Sequence, residues 1–298
     1  MIPRGKIDIS YTDLLRGVWY CIHDIFKLPS FSHLPEQADQ LICLSVRTGF
    51  DLLLSALNFP PGSEIIVSNI SIPDMFSIIE AHQLVPVTVS IDKHSLNVSA
   101  SEINKAITPY TKAIIITHLF GAITNMDDVI KLAEKHNLIV IEDGAQAYAG
   151  INYIGHQKTD VLMQSFGLIK TNTSVSGAIL IFKNAELAQL IKSLNNQLPQ
   201  QDTSVYCNKL LKAFFIRLLT TRWVYTCVYY LLKIQKKDID NVLSGFTRGF
   251  PGKNVLTKIR FRPCNAIVRS VTYRIAHYKL SSLEKEANLL KISFSRSR

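Results

Sequence analysis

The 298-residue chain is 47% hydrophobic and 19% charged, with a formal net charge of +10. That apolar content supports a large buried core and excludes disordered and fibrous classes, so the expectation is one large domain with a smaller appendage. The opening "MIPRGKIDISYTDLLRG" reaches polar residues at once, so no signal peptide is expected and the expected compartment is the cytoplasm. Cys21, Cys43, Cys207, Cys227 and Cys264 are far apart and lack histidine companions at ligand spacing, which predicts neither a disulfide framework nor a metal site.

In chain order, "SVRTGFDLLLSAL" (45–57) reads as a polar turn opening an apolar helix. From residue 64 strands and helices alternate. "EIIVS" is a strand, "DMFSIIEAH" a helix, "VPVTVSI" a strand and "ASEINKAI" a helix; "TKAIIITHLFG" is a strand, "MDDVIKLAEKHN" a helix, and "LIVIEDG" and "VLMQSF" are strands. Continuous β-branched runs separated by short helices are the mark of βαβ units, hence of an α/β fold with a mostly parallel sheet covered on both faces. In "MDDVIKLAEKHN" the acids Asp127 and Asp128 open the helix while Lys135 and His136 close it, which complements the helix dipole.

Beyond residue 200 the pattern changes. A single long apolar helix is expected over 209–234, with Leu210, Leu211, Phe214, Phe215, Leu218 and Leu219 at helical spacing. Arg217 and Arg222 interrupt it and leave "WVYTCVYYLL" uncharged, too short for the ~20 apolar residues that a membrane span needs. Two readings stay open: packing on the large domain or a subunit partner, or peripheral contact with an anionic membrane surface. The basic excess sits in this C-terminal third, with Lys209, Lys212, Arg217, Arg222, Lys233, Lys236 and Lys237 among its members. No nucleic-acid recognition motif accompanies it, and no nucleic-acid partner is expected.

Ligands of parallel α/β sheets bind at the carboxyl ends of the strands, where helix N-termini face them. Three polar groups fall there: the turn around Arg47, Thr48 and Gly49, Asp143 with Gln146 after a strand, and Lys170 in "SFGLIKTNTSVSG". An anion cradle, then a strand-end acid, then a strand-end amine is the set of functions that pyridoxal phosphate needs: donors for its phosphate, a carboxylate for the ring nitrogen and an amine for the aldehyde.

On these residues, "ITPYTKAIIITHLFGAITNMDDVIKLAEKHNLIVIEDGAQAYAG" followed by "SFGLIKT" resembles the DegT/DnrJ/StrS family of pyridoxal-phosphate-dependent sugar aminotransferases of fold type I. The resemblance covers 40–185, is strongest over 107–171 and resumes over 259–275. It implies that Lys170 is the Schiff-base lysine, that Asp143 pairs with the pyridinium nitrogen, that Gln146 lies on the ring-hydroxyl side and that Ser165 contacts the phosphate. Arg47, Thr48 and Gly49 fall at the family's phosphate-binding turn, with Val46 and Arg47 at its Gly-Thr positions. Ile72 takes the place of the aromatic residue that stacks on the ring, Ser176-Gly177 that of a glycine pair, and His118 is implied to be structural.

The resemblance further implies a cytoplasmic homodimer that moves an amino group from glutamate onto a nucleotide-linked keto sugar in polysaccharide or secondary-metabolite synthesis. It divides the chain into a large cofactor-binding domain over 1–200, opening in an N-terminal arm of about 30 residues, and a basic helical segment with a shortened C-terminal small domain over 201–298. The alternative is a catalytically impaired, truncated homologue that keeps the fold for dimerisation or a membrane-surface role.

Overall fold

β-Branched runs bounded by turn residues become strands, and the amphipathic stretches between them become helices. A computed structural model describes residues 7–28, 38–92, 97–150, 153–234 and 255–278, without the side chains of 231–233. The end of the chain from 279 on, read from sequence as the close of a shortened small domain, lies outside the described residues, as do residues 1–6 and 29–37 of the N-terminal region.

The strands are β1 (Gln40–Cys43), β2 (Glu64–Ser68), β3 (Val85–Val89), β4 (Thr111–Thr117), β5 (Ile139–Asp143), β6 (Val161–Ser165) and β7 (Ala178–Phe182). They form one sheet in the order β1-β7-β6-β5-β4-β2-β3. It is parallel from β3 through β6, while β7 runs antiparallel to both β6 and β1. The fold is therefore α/β with a mostly parallel sheet, as expected.

Alternation along each strand sorts the core onto two faces. Leu41, Cys43, Ile65, Val67, Ala113, Ile115, Val161, Met163, Ala178 and Leu180 point to one face, covered by α2 (Val46–Leu57), α3 (Pro73–Ala81) and α6 (Ala185–Gln197). On the opposite face, Ile66, Ile114, Ile116 and Val140 pack against α4 (Ala100–Ala106) and α5 (Asp127–His136). Further along that face, Ile42 and Ile179 meet Leu14 of α1 (Tyr11–Ile25), Tyr206 and Leu210 of α7 (Thr203–Leu219), and Val271 of α10 (Asn265–Ala276). The N-terminal helix and the helices beyond residue 200 thus share one apolar cluster with the sheet.

The expected helix over 209–234 is two helices. α7 starts earlier, at Thr203, and stops at Leu219; α8 (Arg222–Ile234) follows. Thr220 and Thr221 mark the break: their hydroxyls donate to the carbonyls of Arg217 (3.0 Å) and Leu218 (2.8 Å), competing with the backbone ladder. A short helix, α9 (Val255–Ile259), precedes α10.

Gly49 shows how tightly α2 lies on the sheet. A Cβ there would stand 2.3 Å from Leu180 Cδ1 and 3.0 Å from Cys43 Sγ, and Leu180 and Cys43 are both fully buried. Overpacking of about 1–3 kcal/mol outweighs the ~1 kcal/mol that alanine gains over glycine in a helix. Gly49→Ala should therefore lower the urea midpoint of unfolding at an unchanged slope; an unchanged or higher midpoint would show that Leu180 can move aside.

Candidate active site at the carboxyl edge of the sheet

Three strand ends and one helix start meet at one edge. Asp143 is the last residue of β5, in register with Thr117 of β4 and Met163 of β6. Ser165 ends β6 opposite Ala178, the first residue of β7. Cys43 ends β1, also opposite Ala178, and the chain passes through Leu44 and Ser45 into α2. The Gly177 amide donates to the Leu44 carbonyl (3.1 Å), so the loop before β7 lies against the entry to α2.

Asp143 is buried, and its Oδ1 accepts the Ala145 amide at 3.0 Å. Burial raises its pKa above the ordinary carboxylate value, against the opposing effects of that amide, the Lys170 ammonium and His118. Here is a strand-end carboxylate with too little positive charge around it, which suits it to a cationic ring nitrogen.

Lys170 sits in the turn after β6, where its amide donates to the Gly167 carbonyl (3.0 Å). Burial lowers its pKa; the charge of Asp143 works against that shift, and the charge of Arg47 adds to it. A larger share of free amine at neutral pH follows. The loop beyond it is fixed by polar contacts. The Asn172 amide donates to an Asp8 carboxylate oxygen (2.6 Å), Asn172 Nδ2 to the Arg274 carbonyl (3.0 Å), Thr173 Oγ1 to the Phe166 carbonyl (2.9 Å) and Tyr206 Oη to the Ser174 carbonyl (2.9 Å). Val175 is held at φ +70°, a conformation that β-branched residues rarely adopt.

The residues expected to form a phosphate turn differ from one another in what they can offer. Ser45 caps α2, its hydroxyl accepting the Thr48 amide at 3.2 Å. Thr48 is fully buried and donates its own hydroxyl to the Ile259 carbonyl at 2.8 Å, so that hydroxyl is turned into the protein. Gly49 backs onto β7, as described above. Arg47 pairs through Nη1 with Asp74 Oδ2 at 2.5 Å, tying the start of α2 to the first turn of α3. What this turn presents to an anion is the guanidinium and the first amides of α2 more than the side chains of Thr48 or Gly49.

Ser165 is half-buried, and its Oγ accepts the Gly167 amide at 3.3 Å. Gln146 is exposed and its Oε1 accepts the Phe120 amide at 3.4 Å, linking the turns after β5 and β4. Ile72, the N-cap of α3, is 49% exposed and two residues from Asp74.

Behind Asp143 lies a buried polar cluster. His118 Nδ1 accepts the Thr124 amide (3.2 Å), which leaves Nε2 to donate to Glu142 Oε2 (2.6 Å). Glu142 also accepts from the Tyr153 hydroxyl, the Thr159 hydroxyl and the His156 amide (2.8 Å). Among the described residues no group of histidine, cysteine and acidic side chains is arranged to hold a metal ion.

Sequence reasoning singled out neither Asp74, the partner of Arg47, nor Lys209, whose Nζ donates to Ser176 Oγ at 3.4 Å. The first had no signal beyond a helix-opening acid. The second was visible only as one of many basic residues.

A carboxylate, a partly desolvated amine and a helix N-terminus gathered at one sheet edge define the ligand-binding edge of an open α/β enzyme fold. The sequence model of the DegT/DnrJ/EryC1/StrS aminotransferase family matches residues 31–218, and the chain belongs to that family. It is 32% identical over 160 residues to GDP-perosamine synthase of Caulobacter vibrioides, an alignment covering 53% of this chain and 43% of the other. The chain thus matches less than half of the length of that relative.

Among solved structures, NtdA of Bacillus subtilis with bound PMP superposes with a TM-score of 0.56 at 22% identity, over 70% of this chain and 55% of the other. The PLP form of the putative sugar aminotransferase Spr1654 of Streptococcus pneumoniae gives 0.56 at 18% identity, over 72% and 66%. These two likenesses support the fold.

Proposed function

We propose that the chain is a pyridoxal-phosphate-dependent aminotransferase that exchanges the amino group of a donor, glutamate, for the keto oxygen of a nucleotide-linked sugar. The observation that carries this reading is the pairing of a depressed-pKa lysine, Lys170, with a buried strand-end carboxylate, Asp143, at the edge where α2 offers an anion its first amides. Family membership and the likeness to GDP-perosamine synthase support the same reading.

When bound, the cofactor supplies an aldehyde for condensation with amines and a ring that accepts electrons. The residues present fit it. Asp143 would hold the proton on the ring nitrogen, Ser165 and the α2 amides would hold the phosphate, and Gln146 and Ile72 would border the ring. Lys170 Nζ would accept a proton from carbon on the donor side and return one on the acceptor side, work suited to a base whose pKa burial holds below the ordinary lysine value. The exchange is redox-neutral: the donor's C–N bond becomes C=O while the sugar's C=O becomes C–N.

We also infer a homodimer, supported by the exposed apolar residues Leu15, Trp19, Ile22 and Phe26 along one side of α1. The reading is tested by titrating the purified chain with pyridoxal phosphate and then adding glutamate. A visible band should appear and then shift to the ultraviolet as the cofactor gains the amino group; a chain that stays colourless overturns the proposal.

One observation favours a second reading, a fold-retaining homologue that does not turn over: the Thr48 hydroxyl and the Arg47 guanidinium are both engaged within the protein. Its membrane-surface variant rests on Phe215, Trp223, Tyr230 and Ile234, all exposed, with the exposed Arg222 next to Trp223. Among the described residues no helix is long and apolar enough to cross a membrane.

A further inference from the structure

The site holds a second lysine that the proposed reaction does not use. Lys209 lies on α7, one residue before the fully buried Leu210 and three after the fully buried Tyr206, whose hydroxyl fixes the Ser174 carbonyl. α7 is thereby pressed on the loop that follows Lys170, and the Lys209 amine reaches Ser176 Oγ at 3.4 Å. Ser176 is itself buried, and the amide of the next residue, Gly177, is bonded to Leu44 just before α2. Through Ser176 and Gly177 the Lys209 amine is linked to Leu44, two residues before the start of α2.

No acidic side chain among the described residues lies within ion-pair distance of Lys209, although Asp74 holds one nitrogen of Arg47. Burial lowers the Lys209 pKa; the Cys264 thiol works against this, and the charge of Arg47 adds to it. Arg47 acts in the same sense on Lys170. Arg47 in the first turn of α2 and Lys209 across the Ser176–Gly177 loop are two cationic side chains near a helix N-terminus that is itself positive, and the carboxylate of Asp74 pairs with Arg47 alone. Such an excess is stable when an anion completes it.

We propose that Lys209 is a phosphate-binding residue of this site, holding the 5′-phosphate of the cofactor from the α7 side and leaving Lys170 free for the aldehyde. The inference rests on the proposed function above, which does not itself require Lys209. A phosphate there would be held by the Lys209 ammonium together with the first amides of α2.

The test compares wild type, Lys209→Gln and Lys209→Arg, each checked for an unchanged thermal midpoint without ligand. Affinities are measured for pyridoxal phosphate, for pyridoxal, which has the aldehyde but no phosphate, and for uridine diphosphate; stabilisation by inorganic phosphate is measured alongside. The expected result is that Lys209→Gln weakens pyridoxal phosphate about ten- to a hundredfold and reduces stabilisation by inorganic phosphate. Pyridoxal affinity should change less than about twofold, and Lys209→Arg should restore most of the loss. Equal affinity of wild type and Lys209→Gln for pyridoxal phosphate overturns the assignment while leaving the aminotransferase reading intact. A loss confined to uridine diphosphate also overturns it, by moving Lys209 to the substrate's phosphates. Wild type that binds neither pyridoxal phosphate nor inorganic phosphate overturns both inferences.

Discussion

Lys170→Ala should give a folded protein that shows no visible band with pyridoxal phosphate and loses the glutamate half-reaction by at least about a thousandfold, the upper part of the range for removal of a proton-transferring group. The substitution removes an amine from a half-buried turn whose backbone is held by other residues, so the unfolding midpoint should barely move. Wild type carries a pH signature. Because burial, reinforced by Arg47, lowers the Lys170 pKa against the pull of Asp143, the amine deprotonates below the ordinary lysine value of 10.5. The rate of cofactor capture should therefore rise with pH and level off before that value. Arg47→Gln should move the midpoint of that rise upward. A visible band that survives Lys170→Ala would assign the chemistry to another amine, and Lys209 would be the first to test.

Glu142→Ala is expected to have the largest effect on stability, a loss of about 3–5 kcal/mol, the cost typical of removing one side of a buried charged network. Glu142 is fully buried and accepts from His118, Tyr153, Thr159 and the His156 amide. Without it those donors are left without an acceptor away from water. Urea unfolding followed by circular dichroism measures the loss, and a change below about 1 kcal/mol would mean that water replaces the carboxylate at little cost.

Burial of Glu142 opposes ionisation, but the hydrogen bonds from His118, Thr159, Tyr153 and the His156 amide outweigh it, and its folded pKa lies below the ordinary 4.5. A depressed carboxylate pKa contributes stability that is complete above the unfolded value and disappears as pH falls through the folded value. Wild type should accordingly lose stability more steeply below pH 4.5 than Glu142→Gln, which cannot ionise at this position.

Much of this was legible from residue patterns. The β-branched runs "AIIIT" and "LIVIED" identified β4 and β5, and a strand ending in Asp143 necessarily places that carboxylate at the carboxyl edge. Lys170 was identifiable because "VLMQSF" had to be a strand and the residues after it a turn. The family resemblance rested on those same stretches and is matched by the family model over residues 31–218.

The orientation of side chains at the start of α2 was not legible. Thr48 and Gly49 read as a phosphate turn, yet one bonds to Ile259 and the other packs on Leu180. Those partners are more than a hundred residues away, and local pattern carries no trace of them. The break between α7 and α8 was missed for a different reason: hydrophobic period continues across Thr220 and Thr221, and only their hydroxyl bonds end the helix. Lys209 escaped notice because a basic helix residue has no distinguishing mark until the loop it touches is placed.

The clamps on the turn that carries Lys170 come from both ends of the described chain: Asp8 on the Asn172 amide, and Arg274 on the Asn172 side chain. During synthesis the sheet can assemble once β7 has left the ribosome, but the turn cannot take its final form until α10 follows. Loop closure over such a separation is entropically costly and slow relative to local helix formation. A nascent chain thus passes through a stage in which Lys170 is already translated and its loop is still unpinned, and under the proposed function competence to capture the cofactor arrives late, with the last described helix.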